Sequence, residues 1–476
     1  MIRKYANKVS NYPRTNWIRL KEKTKNLHST LVIFGIVFIF ALLRCQIAFK
    51  MGQYGVTTEM NFQQARNVLG GLDAGSYLAG GLSFQDNSFR LAENNFIWQL
   101  WPPGMPIFWF VMSKIFGADS SPLLISAVMS SALLATWVAS LWFFSIKSRF
   151  KIFSRIILVF ILLSSLTQGW LLDQGIMYAE GFYIFFTVLA LIIIANNPIL
   201  NTKLLISVGA LIGIAAYFRA VGFTVIIFLI FLSLIAAVIG FIGYFLKLKT
   251  INKLQLSGKS KSLGIITMTA YLTTLPWVFF RETWLSTGLT KWVITGDKVW
   301  QGVWATDKQL KDSGWGITTG VDNWACHIDK LRCQEIQKNT FTDKQYFLET
   351  LKTIFTNPLD FINLRANDLW HYWELNGRWL YPPQNKIPAA YGTLEGLTYL
   401  LIFGAAMILL LRSFGKLTVL VFVELGIILG STAPLIVFHL ESRYFIPVKI
   451  VTACILILNG MPLLNRYQSN EYNEKP

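Results

Sequence analysis

Long apolar runs are the feature of this sequence that most constrains its fold. Residues 31–49, 221–245 and 417–438 are each almost entirely apolar, and each has the length of about 20 residues that a helix needs to cross a bilayer. Unpaired backbone groups are too costly in lipid, so such a segment spans as a helix. The chain is 54% hydrophobic and 14% charged, whereas soluble domains carry about 25% charged residues. The sequence therefore predicts an all-α polytopic membrane protein and excludes an ordinary soluble enzyme.

The positive charge of the chain is concentrated in clusters beside these runs. The formal net charge is +18, which raises the question of a nucleic-acid partner. The basic residues, however, gather before the first apolar run, at 147–155, at 247–261 and at 412–416. Clusters of this kind are typical of cytoplasmic loops and favour anionic lipid headgroups. We therefore expect the lipid bilayer, and no nucleic acid, as a partner.

The basic clusters also set the direction of each predicted span. No A-x-A cleavage pattern follows the first run, so it is expected to remain as an anchor and not to act as a signal peptide. Residues 104–116 start after two prolines and are too short to cross, which favours a dipping or juxtamembrane helix. About ten spans remain, and they cover residues 31–49, 123–144, 156–172, 181–195, 204–218, 221–245, 263–280, 394–411, 417–438 and 445–464.

These spans divide the chain into four parts. Residues 1–30 form a basic cytoplasmic N-terminus, and residues 31–280 form a transmembrane module of about seven spans that includes a first outer loop at 50–103. Residues 281–390 are polar and rich in Trp, and they are expected to form a mainly helical extracytoplasmic domain. Residues 391–476 contain the C-terminal transmembrane helices and a short cytoplasmic tail.

The four cysteines indicate the redox environment of the protein more than a catalytic or metal-binding role. Cys45 and Cys454 lie in predicted spans, where a small apolar side chain in a helix interface is the expected role. Cys326 and Cys333 lie close together in the outer domain, and they are either a disulfide formed on an oxidising side or two free thiols. His327 has no second pair at ligand spacing, so no zinc site is predicted.

Polar residues at the outer ends of several spans are the strongest functional signal. Asp73 and Tyr77 are four residues apart in the first loop, which puts a carboxylate and a phenol on one helical face. Glu180 precedes one span, and the segment 439–447 precedes the last. Charges that flank different spans on one side predict a shared cavity.

Several of these motifs occur in an order that resembles a known superfamily. They are the Asp-x-x-x-Tyr at Asp73, the Pro-Pro at 102–103 that opens the next helix, and the Arg-Tyr-x-x-Pro at 443–447. Together with a large outer domain after seven crossings, they resemble the GT-C glycosyltransferases, and most closely the protein O-mannosyltransferase and aminoarabinose-transferase-like branch. Such enzymes move a sugar from a polyprenyl-phosphate carrier to an acceptor on the extracytoplasmic side of the membrane, without a nucleotide sugar.

The resemblance implies roles for particular residues. Asp73 matches the first-loop acid that serves as a base or orients the acceptor, and Tyr77 matches its companion. The family more often has Lys or His before the two prolines, where this chain has Trp101, so the carrier phosphate is expected to contact another cation. The candidates for the carrier-phosphate and substrate site are Tyr77, Arg443, Tyr444, Arg219, Lys50, Glu180 and His439.

The resemblance also implies what the reaction needs besides protein. The family commonly has a second acid beside the first-loop Asp, where this chain has Ala74, so a metal-dependent reaction is not expected. The donor is a polyprenyl-phosphate-linked sugar, no separate cofactor is implied, and the acceptor is a glycan, a lipid or a protein. The implied location is the plasma (inner) membrane, with the active site on its extracytoplasmic side.

Sugar transfer explains why these residue types are suitable. The leaving phosphate gains negative charge in the transition state, and a fixed Arg stabilises that charge with paired hydrogen bonds. The acceptor hydroxyl loses a proton to a carboxylate within hydrogen-bond reach, for which Asp73 is the first candidate. Weaker candidates are Glu180, Glu59, Asp86, Glu93 and Glu441.

Each feature also has a plainer interpretation. Asp73 can simply cap a helix, Arg443 and Arg219 can reach lipid headgroups, and Tyr77 can belong to an interfacial aromatic belt. The Trp residues of the outer domain can stack on sugars or anchor the domain on the membrane. An O-antigen polymerase or ligase is the nearest alternative function. A transporter is the other, although it would show charges at mid-membrane and similarity between its halves.

Overall fold

The computed structural model confirms the predicted all-α fold for the residues that it describes. These are residues 28–46, 55–70, 73–88, 98, 102–146, 151–164, 179–197, 200–246, 256–285, 343–363, 366, 389–414, 418–437 and 445–459. Within these ranges the regular structure is helical, and no strand occurs.

Fourteen helices are numbered here in chain order. They are α1 His28–Gln46, α2 Phe62–Leu69, α3 Asp73–Gln85, α4 Gly104–Phe116, α5 Pro122–Ile146, α6 Lys151–Ser164, α7 Glu180–Asn196, α8 Thr202–Phe218, α9 Val221–Phe245, α10 Leu256–Leu285, α11 Asp343–Thr356, α12 Ala389–Phe414, α13 Val419–Val437 and α14 Phe445–Asn459. A short helical segment, 358–363, follows α11 directly.

Five of these helices contain stretches that are long and apolar enough to cross a membrane. The stretches are His28–Gln46, Pro122–Ser145, Val221–Phe245, Gly258–Phe280 and Leu394–Leu411. Shorter apolar stretches occur in α4, α7, α8, α13 and α14. The chain is therefore a helical protein with the elements of a membrane protein.

Some helix boundaries differ from the predicted spans. α6 begins at Lys151 and not at residue 156, and α10 covers Leu256–Leu285 and not only 263–280. The apolar runs mark only the lipid-facing part of a helix, whereas the backbone hydrogen bonds continue into flanking polar turns. Pro276 lies inside α10, which is tolerated in membrane helices because neighbouring groups satisfy the freed carbonyl.

Helix α14 lies at the centre of the bundle. Each of its residues from Phe445 to Leu458 is buried, and it contacts α5, α6, α7, α12 and α13. A helix that is apolar on all sides is stable only when other helices surround it. The largest apolar cluster of the described residues accordingly includes α14 and the helices around it.

Pairs of glycines four residues apart bring two pairs of helices close together. A Cβ atom at Gly213 of α8 would lie 2.6 Å from the Thr273 Cβ and 2.7 Å from the Ala270 carbonyl oxygen of α10. Gly209 makes a similar approach one turn away, and Gly426 and Gly430 of α13 pack on α9 in the same way. Small residues at this spacing allow the close backbone approach that holds membrane helices together.

Hydrogen bonds between helices show which helix ends are neighbours. Near the start of α7, the Tyr183 hydroxyl lies 3.0 Å from the Ser431 hydroxyl in the second half of α13. Near the start of α9, the Thr224 hydroxyl donates to the Gly430 carbonyl of α13. The starts of α7 and α9 and the end of α13 therefore share one end of the bundle. We call it the Glu180 end, after the first residue of α7.

Candidate functional site

The first loop contributes a compact three-helix unit at the Glu180 end. Asn61 caps α2: its side chain accepts from the Gln64 N–H at 2.9 Å, and the Gln64 side chain accepts from the Asn61 N–H at 3.0 Å. α3 packs on both α2 and α4. A Cβ atom at Gly81 of α3 would lie 2.8 Å from the Trp109 Cβ of α4, so only glycine permits this approach.

A buried apolar cluster joins this unit to the bundle. We call it the Tyr77 cluster, and its members are Phe62, Ala65, Leu69, Ala74, Tyr77, Leu78, Leu82, Met105, Trp109, Ile125 and Ala179. The Phe182 ring of α7 lies between two partners: its centroid is 4.9 Å from that of Phe108 and 4.6 Å from that of Phe218. α4, α7 and α8 are thus linked through aromatic rings.

An ion pair lies beside this ring stack. The Arg219 Nη1 is 2.9 Å from the Glu180 Oε1, and the Glu180 side chain is 1% exposed while that of Arg219 is 14% exposed. Glu180 is the first residue of α7 and Arg219 is the C-cap of α8. The helix macrodipoles favour an anion at a helix start and a cation at a helix end, so both backbones stabilise the charges that they bring together.

The Pro-Pro segment of the sequence also lies at this place. Gly104 follows Pro102 and Pro103, and a Cβ atom on it would lie 2.6 Å from the Tyr217 carbonyl oxygen. The start of α4 therefore packs tightly against the residues that precede Arg219. This contact places the prolines beside the ion pair.

Asp73 and Tyr77 are both buried in α3, and Asp73 is its first residue. Three charged candidates adjoin the Tyr77 cluster along the chain, because Ala74, Ala179 and Phe218 belong to it or pack against it. The chain neighbours of Asp73, Glu180 and Arg219 thus meet in one cluster that also contains Tyr77. Two weaker candidates, Glu59 and Asp86, are exposed.

Aromatic side chains form a second contact between the first loop and α10. The centroid of Trp98 is 5.7 Å from that of Trp277 and 5.0 Å from that of Phe84. The Trp98 indole N–H donates to the Ser83 hydroxyl at 3.1 Å. Both Trp side chains are buried, so their role is to pack the loop onto the bundle.

Several predicted residues lie outside the described ranges. They are Lys50, Glu93, His439, Glu441, Arg443, Tyr444, Cys326, Cys333 and the Trp residues of the outer domain. Cys45 and Cys454 are described, and both are buried and free as predicted. The Cys45 Sγ lies 3.9 Å from the Ser130 hydroxyl of α5. Among the described residues, no group of three or more His, Cys, Asp or Glu side chains could hold a metal ion.

The structure also contains a charged pair that sequence reasoning missed. Glu395 of α12 and Lys449 of α14 are 4% and 3% exposed, and the two helices pack against each other. The Lys449 Nζ lies 5.6 Å from the centroid of the Tyr399 ring, and the Tyr399 hydroxyl lies 2.6 Å from the Ser164 hydroxyl. The sequence did contain a signal for this pair, because Glu395 lies in the apolar run 394–411 and Lys449 lies in the apolar run 445–464.

The sequence was also compared with known proteins. No protein family model matches it, and no curated protein matches it. The functional argument therefore depends on the chemistry of the site.

Proposed function

We propose that this chain is an integral membrane glycosyltransferase that moves a sugar from a polyprenyl-phosphate carrier to an acceptor on the extracytoplasmic side. The observation that supports this most directly is the grouping of Asp73, Tyr77 and the Glu180–Arg219 pair around the Tyr77 cluster. It combines a buried carboxylate with a partly exposed cation at one end of a helical bundle.

The charge pattern supports an extracytoplasmic position for the Glu180 end. α5 and α9 both begin at this end of the bundle, since Ile125 belongs to the Tyr77 cluster and Thr224 contacts α13. The basic segments 147–155 and 247–261 follow their opposite ends. Positive loops remain cytoplasmic, so the proposed topology has ten spans and an outward-facing site.

Each group has a task in the proposed reaction. The bond between the anomeric carbon and the carrier phosphate oxygen breaks, and its electron pair leaves with the phosphate. The acceptor oxygen bonds to the anomeric carbon, and its proton passes to the Asp73 carboxylate. Arg219 stabilises the charge on the leaving phosphate, while Glu180 holds the guanidinium in place. Arg443 and Lys50 are proposed as further contacts to the carrier phosphate.

One observation favours the transporter alternative. Glu395 and Lys449 lie inside apolar helices, and buried charges at such positions often mark transport pathways. Both residues are almost fully buried, however, with 4% of Glu395 and 3% of Lys449 exposed, which leaves them little contact with water. The assay below separates the two functions, because a transporter would move the lipid-linked sugar without forming a new glycosidic bond.

The test is sugar transfer in proteoliposomes that contain a labelled polyprenyl-phosphate sugar and an extract of the cell envelope as acceptor. Asp73→Asn keeps the size of the side chain and removes its charge, so we expect transfer to fall roughly 10²- to 10⁴-fold. Asp119→Asn is the matched control, because Asp119 is an exposed Asp in the loop between α4 and α5 and is not a candidate for the reaction, and it should retain wild-type transfer.

Two results would contradict the proposal at different levels. If the wild-type protein forms no glycosylated product from any lipid-linked sugar, the glycosyltransferase function is wrong. If the wild-type protein is active and Asp73→Asn is equally active, only the assignment of Asp73 is wrong, and Glu180 becomes the next carboxylate to test.

A further inference from the structure

Helix α11 and the segment after it expose a line of large apolar side chains. Leu348, Phe355, Leu359 and Ile362 are between 52% and 77% exposed. The two segments meet at a bend at Asn357, whose N–H donates to the Thr353 carbonyl oxygen at 3.0 Å and whose carbonyl oxygen accepts from the Phe361 N–H at 3.2 Å. Residues 343–363 therefore form a helix that is bent at Asn357.

The apolar line lies on one side of this helix. At 3.6 residues per turn, Leu348 and Phe355 lie about 20° apart on α11, and Leu359 and Ile362 lie about 60° apart on the segment after the bend. Thr353 and Phe361 are buried, and they lie on the opposite side. The side that packs against the protein is thus separate from the exposed apolar side, which we call the α11 stripe.

The exposed surface of the helix is itself divided into two sectors. Among the side chains that the structure describes, the exposed polar residues are Gln345, Lys352, Thr356, Asp360 and Asn363. Within each of the two segments they lie in a sector next to the described residues of the α11 stripe. Exposed apolar side chains scattered over a surface are ordinary, but a line of them beside a polar sector marks a binding surface.

We propose that residues 343–363 form an interfacial helix that inserts the α11 stripe into the boundary between lipid headgroups and acyl chains. A separated apolar and polar surface is the pattern of helices that lie in the plane of a membrane. The same chain carries five helices that are long and apolar enough to span, so a lipid surface is always close to this domain.

Lys352 supports lipid as the occupant of this surface. It lies at the border between the polar sector and the α11 stripe, where its aliphatic stem can cover apolar surface while its ammonium reaches headgroup phosphates. The proposal goes beyond the proposed transferase activity and does not depend on it.

The experiment measures lipid exposure with nitroxide spin labels on the full chain in vesicles of phosphatidylethanolamine and phosphatidylglycerol. Labels are attached at Phe355→Cys and Leu359→Cys on the α11 stripe and at Thr356→Cys and Asn363→Cys on the polar sector, with the four native cysteines replaced. Oxygen concentrates in acyl chains, whereas a nickel chelate stays in water. We therefore expect the stripe labels to collide more often with oxygen than with the nickel chelate. The control labels should show the reverse order.

Two results would overturn the proposal. Equal collision with the nickel chelate at stripe and control positions would show that the stripe faces water. Dipolar broadening between labels at Phe355 of two chains would show that a second copy covers the stripe. Leu348→Cys and Ile362→Cys report on the same stripe, so they replace any variant whose thermal unfolding differs from that of the cysteine-free parent.

Discussion

Glu180 and Arg219 lie at the ends of two helices, whereas Glu395 and Lys449 lie within α12 and α14. The first pair is in direct contact at 2.9 Å, and its Arg side chain is partly exposed at the Glu180 end. The second pair is enclosed by α6, α12 and α14, where Tyr399 and Ser164 complete a small polar group. One protein thus holds charges in low-dielectric surroundings in two different ways.

The difference shows which pair is suited to chemistry. At helix ends the macrodipoles stabilise both charges, and a ligand phosphate can approach the exposed edge of the guanidinium. Inside the bundle each charge depends on the other, because removing one partner leaves an uncompensated charge. We therefore propose the Glu180–Arg219 pair for the proposed transfer reaction and the Glu395–Lys449 pair for holding α12 on α14.

The largest expected effect tests the interior pair. Lys449→Met removes the buried cation near Glu395 and should lower the free energy of unfolding by about 3–5 kcal/mol. Thermal unfolding in detergent, followed by Trp fluorescence, measures the change. Lys203→Met is the control, since Lys203 is an exposed lysine in the first turn of α8, and it should unfold like the wild type.

The double variant Glu395→Gln/Lys449→Met sharpens this test. It removes both charges, so it should recover most of the lost stability and retain sugar transfer. If the double variant is stable but inactive in transfer, the interior pair takes part in the reaction, and the division of roles between the two pairs is wrong.

A somewhat smaller effect is expected at the helix ends. Arg219→Gln should reduce sugar transfer by roughly 10²- to 10³-fold, as the loss of one donor to a developing anion does in other enzymes. The double variant Glu180→Gln/Arg219→Gln should regain the stability that Arg219→Gln loses, but it should not regain sugar transfer. Recovery of transfer together with stability would show that this pair is structural, like the interior pair.

The smallest effect is expected at Tyr183, which is close to the Glu180–Arg219 pair along α7. Tyr183 lies one turn inside α7 from Glu180, and its hydroxyl contacts the Ser431 hydroxyl. Tyr183→Phe should lower the free energy of unfolding by about 1 kcal/mol, the usual value for one hydrogen bond. Tyr271→Phe serves as the control because Tyr271 is 48% exposed on α10. If Tyr183→Phe and Tyr271→Phe unfold at the same temperature, this hydrogen bond does not stabilise the fold.

The sequence predicts the helices of this protein well where hydrophobicity and helix-breaking residues act together. The predicted segments 221–245 and 104–116 coincide with α9 and α4, because polar residues, Pro or Gly flank each run. The sequence did not predict α2 and α3 as two separate helices, since the first loop has no long apolar run. Their separation depends on packing, including the close approach of Gly75 to the end of α2.

The sequence predicted which residues belong to the candidate site, but it did not predict which of them are in contact. Asp73, Tyr77, Glu180 and Arg219 stand out because they are polar residues at the ends of apolar runs. The Glu180–Arg219 ion pair was not predicted, since hydropathy places both residues on one side of the membrane but does not say that α7 and α8 are neighbours. Glu395 and Lys449 were missed because span prediction averages over a window, and a single charge hardly changes the average.

The central position of α14 has a consequence for how the protein is made. The five helices that contact α14 all precede it in the chain, so the ribosome produces them first and they enter the membrane without it. Until α14 follows, they must either leave a groove open to lipid or pack provisionally on one another. Lys449 then has to enter the bilayer before it meets Glu395. The insertion of α14 thus brings a charged helix into contact with helices that were made before it, and it is at this step that we expect cellular insertion factors to be needed most.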